Sequence, residues 1–320
     1  MQSKGNIFAR LDWSKYIVYI AFVAVFIFFS FWLNDKGFIS VNNILNITRQ
    51  TAMITIMAVG MTFVIGAAQI DLSIGSTAAL SSLTCALLLS TTNSIVLSIG
   101  GAILLGIVIG AINGWLVTKF AIPSFLVTLG MMGIVRGSAM WLTNTAAVPI
   151  SNKGFSAVFG VGNVFGKIPV LLIWTIIFVV LGAILLNKMP YGKKTLATGG
   201  NEVAASFSGI NINRIKLGAF IMSGALSAFA GILYAGRMQA GRYTFGEGDE
   251  MSAIAAVILG GTSLAGGTGS IIGALVGSLL MGMINNGLIL GGLSVSQQTI
   301  VRGIIIILAV ALSNISRKQK

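Results

Sequence analysis

The sequence predicts an all-α polytopic membrane protein with about ten transmembrane helices. Three observations predict it. Of 320 residues, 56% are hydrophobic and only 8% charged, against about 25% charged in an average soluble protein. So few charges do not cover the surface of a soluble domain. Apolar segments recur along the chain at lengths near the roughly 20 residues that cross a bilayer. Basic residues gather between those segments, where they act as topology signals.

The first apolar run, Tyr16 to Leu33, follows Lys4, Arg10 and Lys15. It has no small-residue cleavage site and ends in "SFWLNDKGF", so it reads as a retained span rather than a signal peptide. Further spans are expected near 51–68, 72–91, 95–118, 123–142, 169–187, 217–236, 251–266, 271–290 and 299–316, with Gly and Ser breaking up 72–91 and 251–266. With the N-terminus inside, the cytoplasmic side holds twelve bases: Lys4, Arg10, Lys15, Lys119, Lys188, Lys193, Lys194, Arg214, Lys216, Arg317, Lys318 and Lys320. The outer side holds five, Lys36, Lys153, Lys167, Arg237 and Arg242, nearly balanced by Asp35, Glu247, Asp249 and Glu250. This positive-inside bias places both termini in the cytoplasm, which requires an even number of spans. Residues 1–15 are then a cytoplasmic segment, 16–316 one transmembrane domain and 317–320 a cytoplasmic tail. Arg49, Arg136 and Arg302 lie near span ends, where long side chains snorkel. Two connections are long, 143–168 outside and 188–216 inside.

The formal net charge of +13 comes from these topology bases, and no nucleic-acid-reading pattern accompanies it. The single cysteine, Cys85, lies in an apolar run and reads as a small buried hydrophobe. There is no histidine, which removes the commonest general base and metal ligand. The chain contains no G-x-x-x-x-G-K-[ST], H-E-x-x-H, paired-cysteine or G-x-S-x-G motif. No catalytic residue, metal or cofactor is expected.

Packing signals are plentiful among the 41 glycines. Gly106, Gly110 and Gly114 recur every four residues, and Gly133 with Gly137 and Gly273 with Gly277 repeat the spacing. Such smooth faces serve tight internal packing or a subunit interface. A faint echo links "AVGMTFVIGAAQIDLSIGS" (58–76) with "AVILGGTSLAGGTGSIIGA" (256–274), two apolar runs interrupted by polar and glycine residues. Interrupted spans at corresponding places in two halves point towards a transport pathway. Asp71 stands alone as an acid within the apolar body, where a charge costs about 2.5–3.5 kcal/mol on insertion scales. It either caps a helix starting at Leu72 or lines a polar translocation path. Asn113, Asn285 and Asn286 either bond across helices or line the same path.

The inner connection holds "ATGGNEVAASFSGINI", residues 197–212. Gly199 and Gly200 stop the preceding segment, Asn201 is an N-cap, and Glu202 sits in the first turn, where the dipole favours an acid. Val203, Phe207 and Ile210 form one apolar stripe, while Ala204 and Ala205 keep another face flat. Gly209 fits the position just past the helix end. The result is a helix of about two turns, too short to span. Its stripe packs on its own domain, lies among headgroups, or enters a groove on a partner.

"TLATGGNEVAASFSGININRIK" (195–216), "AIAAVILGGTSLAGGTGSIIGALVGSLLMGMINNGL" (253–288) and "IMAVGMTFVIGAAQIDLSIGS" (56–76) together resemble the membrane subunits of bacterial ribose-type ABC sugar importers, over nearly the whole chain from Phe38 to Leu312. The resemblance implies the ABC importer permease fold in the bacterial inner membrane, without an ATPase site of its own. It also implies three kinds of partner: an ABC ATP-binding subunit, an extracytoplasmic sugar-binding protein and a second permease subunit, and the binding protein is expected to dock on the outer connections 143–168 and 237–250. Permeases of ABC importers often carry E-A-A-x-x-x-G on a cytoplasmic coupling helix. Here Ala204, Ala205 and Gly209 keep that pattern, with Glu202 displaced by one residue. Nucleosides or branched-chain amino acids are the alternative cargoes. An ion-coupled carrier would leave the 195–216 loop unexplained.

Overall fold

The structure, a computed structural model, describes residues 17–318. The predicted segment 1–15 and the last two residues of the tail lie outside the described residues. The helices are α1 (Ile17–Trp32), α2 (Val41–Gly66), α3 (Ile74–Thr92), α4 (Ile95–Phe120), α5 (Ser124–Thr143), α6 (Lys153–Phe159) and α7 (Val170–Asn187). After them come α8 (Pro190–Gly200), α9 (Glu202–Phe207), α10 (Ile212–Met238), α11 (Asp249–Leu259), α12 (Ile271–Leu290) and α13 (Val295–Lys318). Four two-residue strands, β1 (Val148–Pro149), β2 (Asn163–Val164), β3 (Ile168–Pro169) and β4 (Ala240–Gly241), complete the described fold. β1 pairs with β4 and β2 with β3, both antiparallel.

Helices start where a short polar side chain can take up a free backbone N–H. Ser40 Oγ accepts from Asn43 N at 3.3 Å, Asn211 Oδ1 from Arg214 N at 3.0 Å, and Ser270 Oγ from Gly273 N at 3.0 Å. α3 and α5 end on Asn93 and Asn144, both left-handed, with φ of 50° and 47°, a conformation Asn tolerates.

Seven helices, α2, α3, α4, α5, α7, α10 and α12, are long and apolar enough to cross a membrane. The protein is a multi-pass, mostly helical membrane protein. α2 is the most enclosed of these helices: Ala52 to Ala67 on α2 and its end are buried without a break. The α4 glycines seat that helix on α10, because a Cβ at Gly106 or Gly110 would strike the backbone of Gly224 or Phe220. Gly273 and Gly277 bring α12 onto Gly260 and Ala256 in the same way. Both stripes therefore serve internal packing. Gly130, Gly133 and Gly137 on α5 have nothing within 4 Å.

The expected span 251–266 is corrected. α11 stops at Leu259, a length of about 16 Å, and 260–270 is irregular. Gly261, Gly266 and Gly267 take φ of +89°, +79° and +81°, a region that ends a helix. The inner connection 188–216 is itself helical over α8, with Pro190 in its first turn, where a missing N–H costs nothing.

Candidate functional site

The helix expected within 197–212 is α9. Asn201 Oδ1 accepts from Ala204 N at 3.0 Å. At the other end, Gly209 adopts φ +79°. Its N–H bonds to the Ser206 carbonyl at 2.9 Å and the Ile210 N–H to Ala205 at 3.1 Å, the paired bonds of a Schellman stop. Ala205 is buried, whereas Val203 and Phe207 are 65% and 89% exposed. Of the stripe's possible destinations, packing on its own domain is thereby removed for these two side chains. Glu202 pairs with Lys216 near the start of α10, so its carboxylate ties α9 back to the bundle.

α8 is the arm that carries α9. The Tyr191 hydroxyl donates to the Ile215 carbonyl at 3.2 Å, and the ring stacks on Phe63. Burial pushes its phenol up to about 12, which keeps it a neutral donor. The arm ends in a junction built mainly from backbone. A Cβ at Gly199 would run into the Gly66 carbonyl and lie 2.9 Å from Gly267 N. A Cβ at Gly266 would come within 2.7 Å of the Gly199 carbonyl oxygen and 2.8 Å of the Ala68 methyl, and the Gly267 N–H bonds to the Gly66 carbonyl at 3.1 Å. The two interrupted runs that echo one another in the sequence thus meet the arm at one point. Gly200, also named from sequence, is looser, with its Cβ position 3.6 Å from Gly267.

Asp71 is not the helix cap. α3 begins at Ile74 with Ser73 at its N-cap position, two residues beyond Asp71. Instead Asp71 gathers a buried network. Its carboxyl accepts from Ser73 N at 3.0 Å, Ser73 Oγ at 2.6 Å and Ser223 Oγ of α10 at 2.8 Å. Asn113 of α4 donates to Ser73 Oγ at 2.9 Å. Asn286 and Asn43 exchange two amide hydrogen bonds of 2.9 Å between α12 and α2, and Asn285 accepts from Arg302 at 3.3 Å. All three asparagines bond to residues of other elements. Asp71, Asn113 and Asn286 are buried, at 1%, 0% and 3% exposure.

A second polar constellation was not foreseen. Gly241 lies against Ser82 and Leu83 of α3, but Gly246 lies against Gly75, seven residues earlier and about 10 Å along that helix. The segment 242–248 therefore dips back between the helices before α11 begins. Arg136 of α5, expected to snorkel, turns inward instead and donates to the carbonyls of Tyr243 and Phe245. Its charged neighbours are Glu250, Glu247 and Asp249. The Tyr234 hydroxyl donates to Asp249, and the Arg302 guanidinium is 2.9 Å from the Cβ position of Gly248. The visible signal was an acid-rich "GEGDE" with two lone arginines in otherwise charge-poor spans.

Residues 43–310 match the family model described as branched-chain amino acid transport system / permease component. The chain is 42% identical over 287 residues to the ribose import permease protein of Escherichia coli K12, covering 88% of each chain. It is 44% identical to the ribose import permease protein of Bacillus subtilis, covering 87% of this chain and 86% of the other. The chain belongs to this permease family. The L-arabinose ABC transporter permease protein of Azospirillum brasilense is 38% identical, over 94% and 88% of the two chains. No solved structure matches the permease. The family match takes in α9, the glycine junction, the Asp71 network and the dip, so every part of the candidate site lies in the permease core. α1 lies before the match.

Proposed function

We propose that the protein is the membrane subunit of an ATP-binding-cassette importer that moves a ribose-like monosaccharide into the cytoplasm. The energy comes from ATP hydrolysis on a partner subunit. The observation that carries this reading is α9, a capped helix whose Val203 and Phe207 stand open on an arm locked into the bundle. An apolar helix face of this kind suits a hydrophobic groove, here that of the ATP-binding subunit. Gly199, Gly200, Asn201, Glu202, Ala204, Ala205 and Gly209 form, hold or terminate this coupling element. The family description covers amino-acid permeases, but the names of the ribose and arabinose relatives favour a sugar.

In this reading the chain crosses the inner membrane about ten times with both termini in the cytoplasm. Residues 1–15 and 317–320 flank one transmembrane domain, 16–316. The eighth crossing is composite, made by the dip at 242–248 and the short α11. The two outer connections assigned to binding-protein docking are joined, since β1 of one pairs with β4 of the other. A second permease subunit meets the chain along α5, where Gly130, Gly133 and Gly137 leave an open face for close helix approach. Asp71, Asn113 and Asn286 stiffen the wall of the sugar pathway, and Asn285 stands beside the arginine-bearing dip.

Reconstituted with its ATP-binding subunit and binding protein, the complex is expected to take up ribose only with ATP. Phe207→Asp is expected to lower uptake about tenfold or more, as loss of an anchoring aromatic at an interface does, with the permease still inserted. Wild-type uptake by that variant would sink the docking role of α9. Glu202 and Lys216 give a second test. Their pair is partly exposed and worth less than about 1 kcal/mol, so Glu202→Lys or Lys216→Glu alone reduces uptake severalfold at most. The double exchange is expected to recover it. Failure of the exchange would mean that Glu202 acts on the partner rather than on α10.

A further inference from the structure

The dip at 242–248 does more than close a connection. Beside it lies a cleft of about 310 Å³ lined by Thr145, Ala147, Arg242, Tyr243 and Thr244, at the lower end of the range for small-ligand sites, roughly 300–1,000 Å³. Its wall is fixed from within, because Arg136 holds the carbonyls of Tyr243 and Phe245. Deeper along the dip, against Gly75 of α3, Glu250 Oε2 is buried with no hydrogen-bond partner among the described residues. We propose that the dip and the cleft beside it form a weak binding site for a neutral monosaccharide at the outer mouth of the pathway. The proposal rests on the permease reading above and names the place where cargo first meets this subunit.

The chemistry selects that class of ligand. Arg136 and Arg302 stand among Asp249, Glu250 and Glu247, and Arg242 on the cleft brings the set to three positive against three negative groups. A balanced set offers no net field to hold an ion, yet it presents both donors and acceptors to hydroxyl groups. The cleft itself adds the Thr145 and Thr244 hydroxyls, the Arg242 guanidinium and the Tyr243 ring, an apolar face for a sugar ring to lie against. Thr244 and Arg242 are exposed, so a solute can reach them. Glu247, also exposed, stands on the same dip. A transit site must release what it binds, which suits contact through a few hydroxyls on an open wall.

The native thiol Cys85 is buried, so a Thr244→Cys variant offers one reactive position. Right-side-out vesicles carrying the permease–ATPase complex without binding protein are labelled with a membrane-impermeant maleimide. With a dissociation constant of about 1 mM, ribose at about 10 mM is expected to slow labelling about tenfold, and sucrose at equal osmolarity is not. Added Arg242→Gln at the surface is expected to reduce that protection at least threefold, roughly 0.7 kcal/mol. Labelling unchanged by ribose, slowed equally by sucrose, or fully protected in the Arg242→Gln variant overturns the site. Uptake by the wild-type complex with binding protein is measured in parallel. Its absence strikes at the permease reading, whereas uptake without protection strikes at this site alone.

Discussion

Replacing Gly199 with alanine is expected to leave a permease that inserts into the membrane but imports sugar at less than about a tenth of the wild-type rate. The added methyl would strike the Gly66 carbonyl and come within 2.9 Å of Gly267 N. Both obstacles are backbone, and they are joined to each other by the 3.1 Å bond from Gly267 N to Gly66 O. Neither can yield without moving the end of α2 or the loop before α12. Overpacking of this kind costs about 1–3 kcal/mol. Its effect falls on the point where the α9 arm meets the two interrupted runs. Gly200→Ala is the control, since its methyl lies 3.6 Å from Gly267, an ordinary contact, and is expected to transport normally. Initial uptake rates normalised to inserted protein decide the matter. Equal rates for the two variants would show that the junction transmits nothing.

The contrast between these neighbouring glycines marks what the sequence makes legible. Local features were readable: Asn201 and Gly209 cap α9 through bonds that span three to five residues, and hydropathy locates most of the spans. Hydropathy failed at 251–266 because it registers transfer to lipid and not φ. Gly261, with positive φ, closes the helix inside an apolar run, and Gly266 and Gly267, also with positive φ, keep the following segment irregular. It failed in the opposite sense at 242–250, where a polar loop is drawn into the bundle by contacts that only the fold creates. Arg136 reaches Tyr243 across 107 residues, and Ser223 reaches Asp71 across 152. The signal for α8 was present, since Pro190 suits a first helical turn, but the basic pair and the glycines that follow resemble a loop. Glycine spacing disclosed smooth faces without saying what they touch. Two stripes pack inside the chain, and the one on α5 stays open.

Asp71→Leu is expected to lower the melting temperature of the detergent-solubilised permease by about 5–10 °C. The substitution strands the Ser73 N–H and the Ser73 and Ser223 hydroxyls, which now reach the carboxyl at 3.0, 2.6 and 2.8 Å in a buried site. Each buried group left without a partner costs about 1–3 kcal/mol, so the sum is a large part of the roughly 5–15 kcal/mol of a typical fold. The damage extends to Asn113, whose amide leans on Ser73. Asp71→Asn keeps one carbonyl acceptor and meets a serine hydroxyl that can rotate to accept, so it is expected to lose about half as much. Melting of Asp71→Leu at the wild-type temperature would show that the network carries no stability. The asparagine variant then separates a structural role for Asp71 from a role in the pathway. The segment 67–73 is held at one end by the glycine junction, where Gly66 binds Gly267, and at the other by Asp71. If the network only fixes that segment, uptake by Asp71→Asn follows its stability. If stability is largely kept while uptake is lost, the carboxyl itself serves the pathway, and the buried position is a state from which transport must release it.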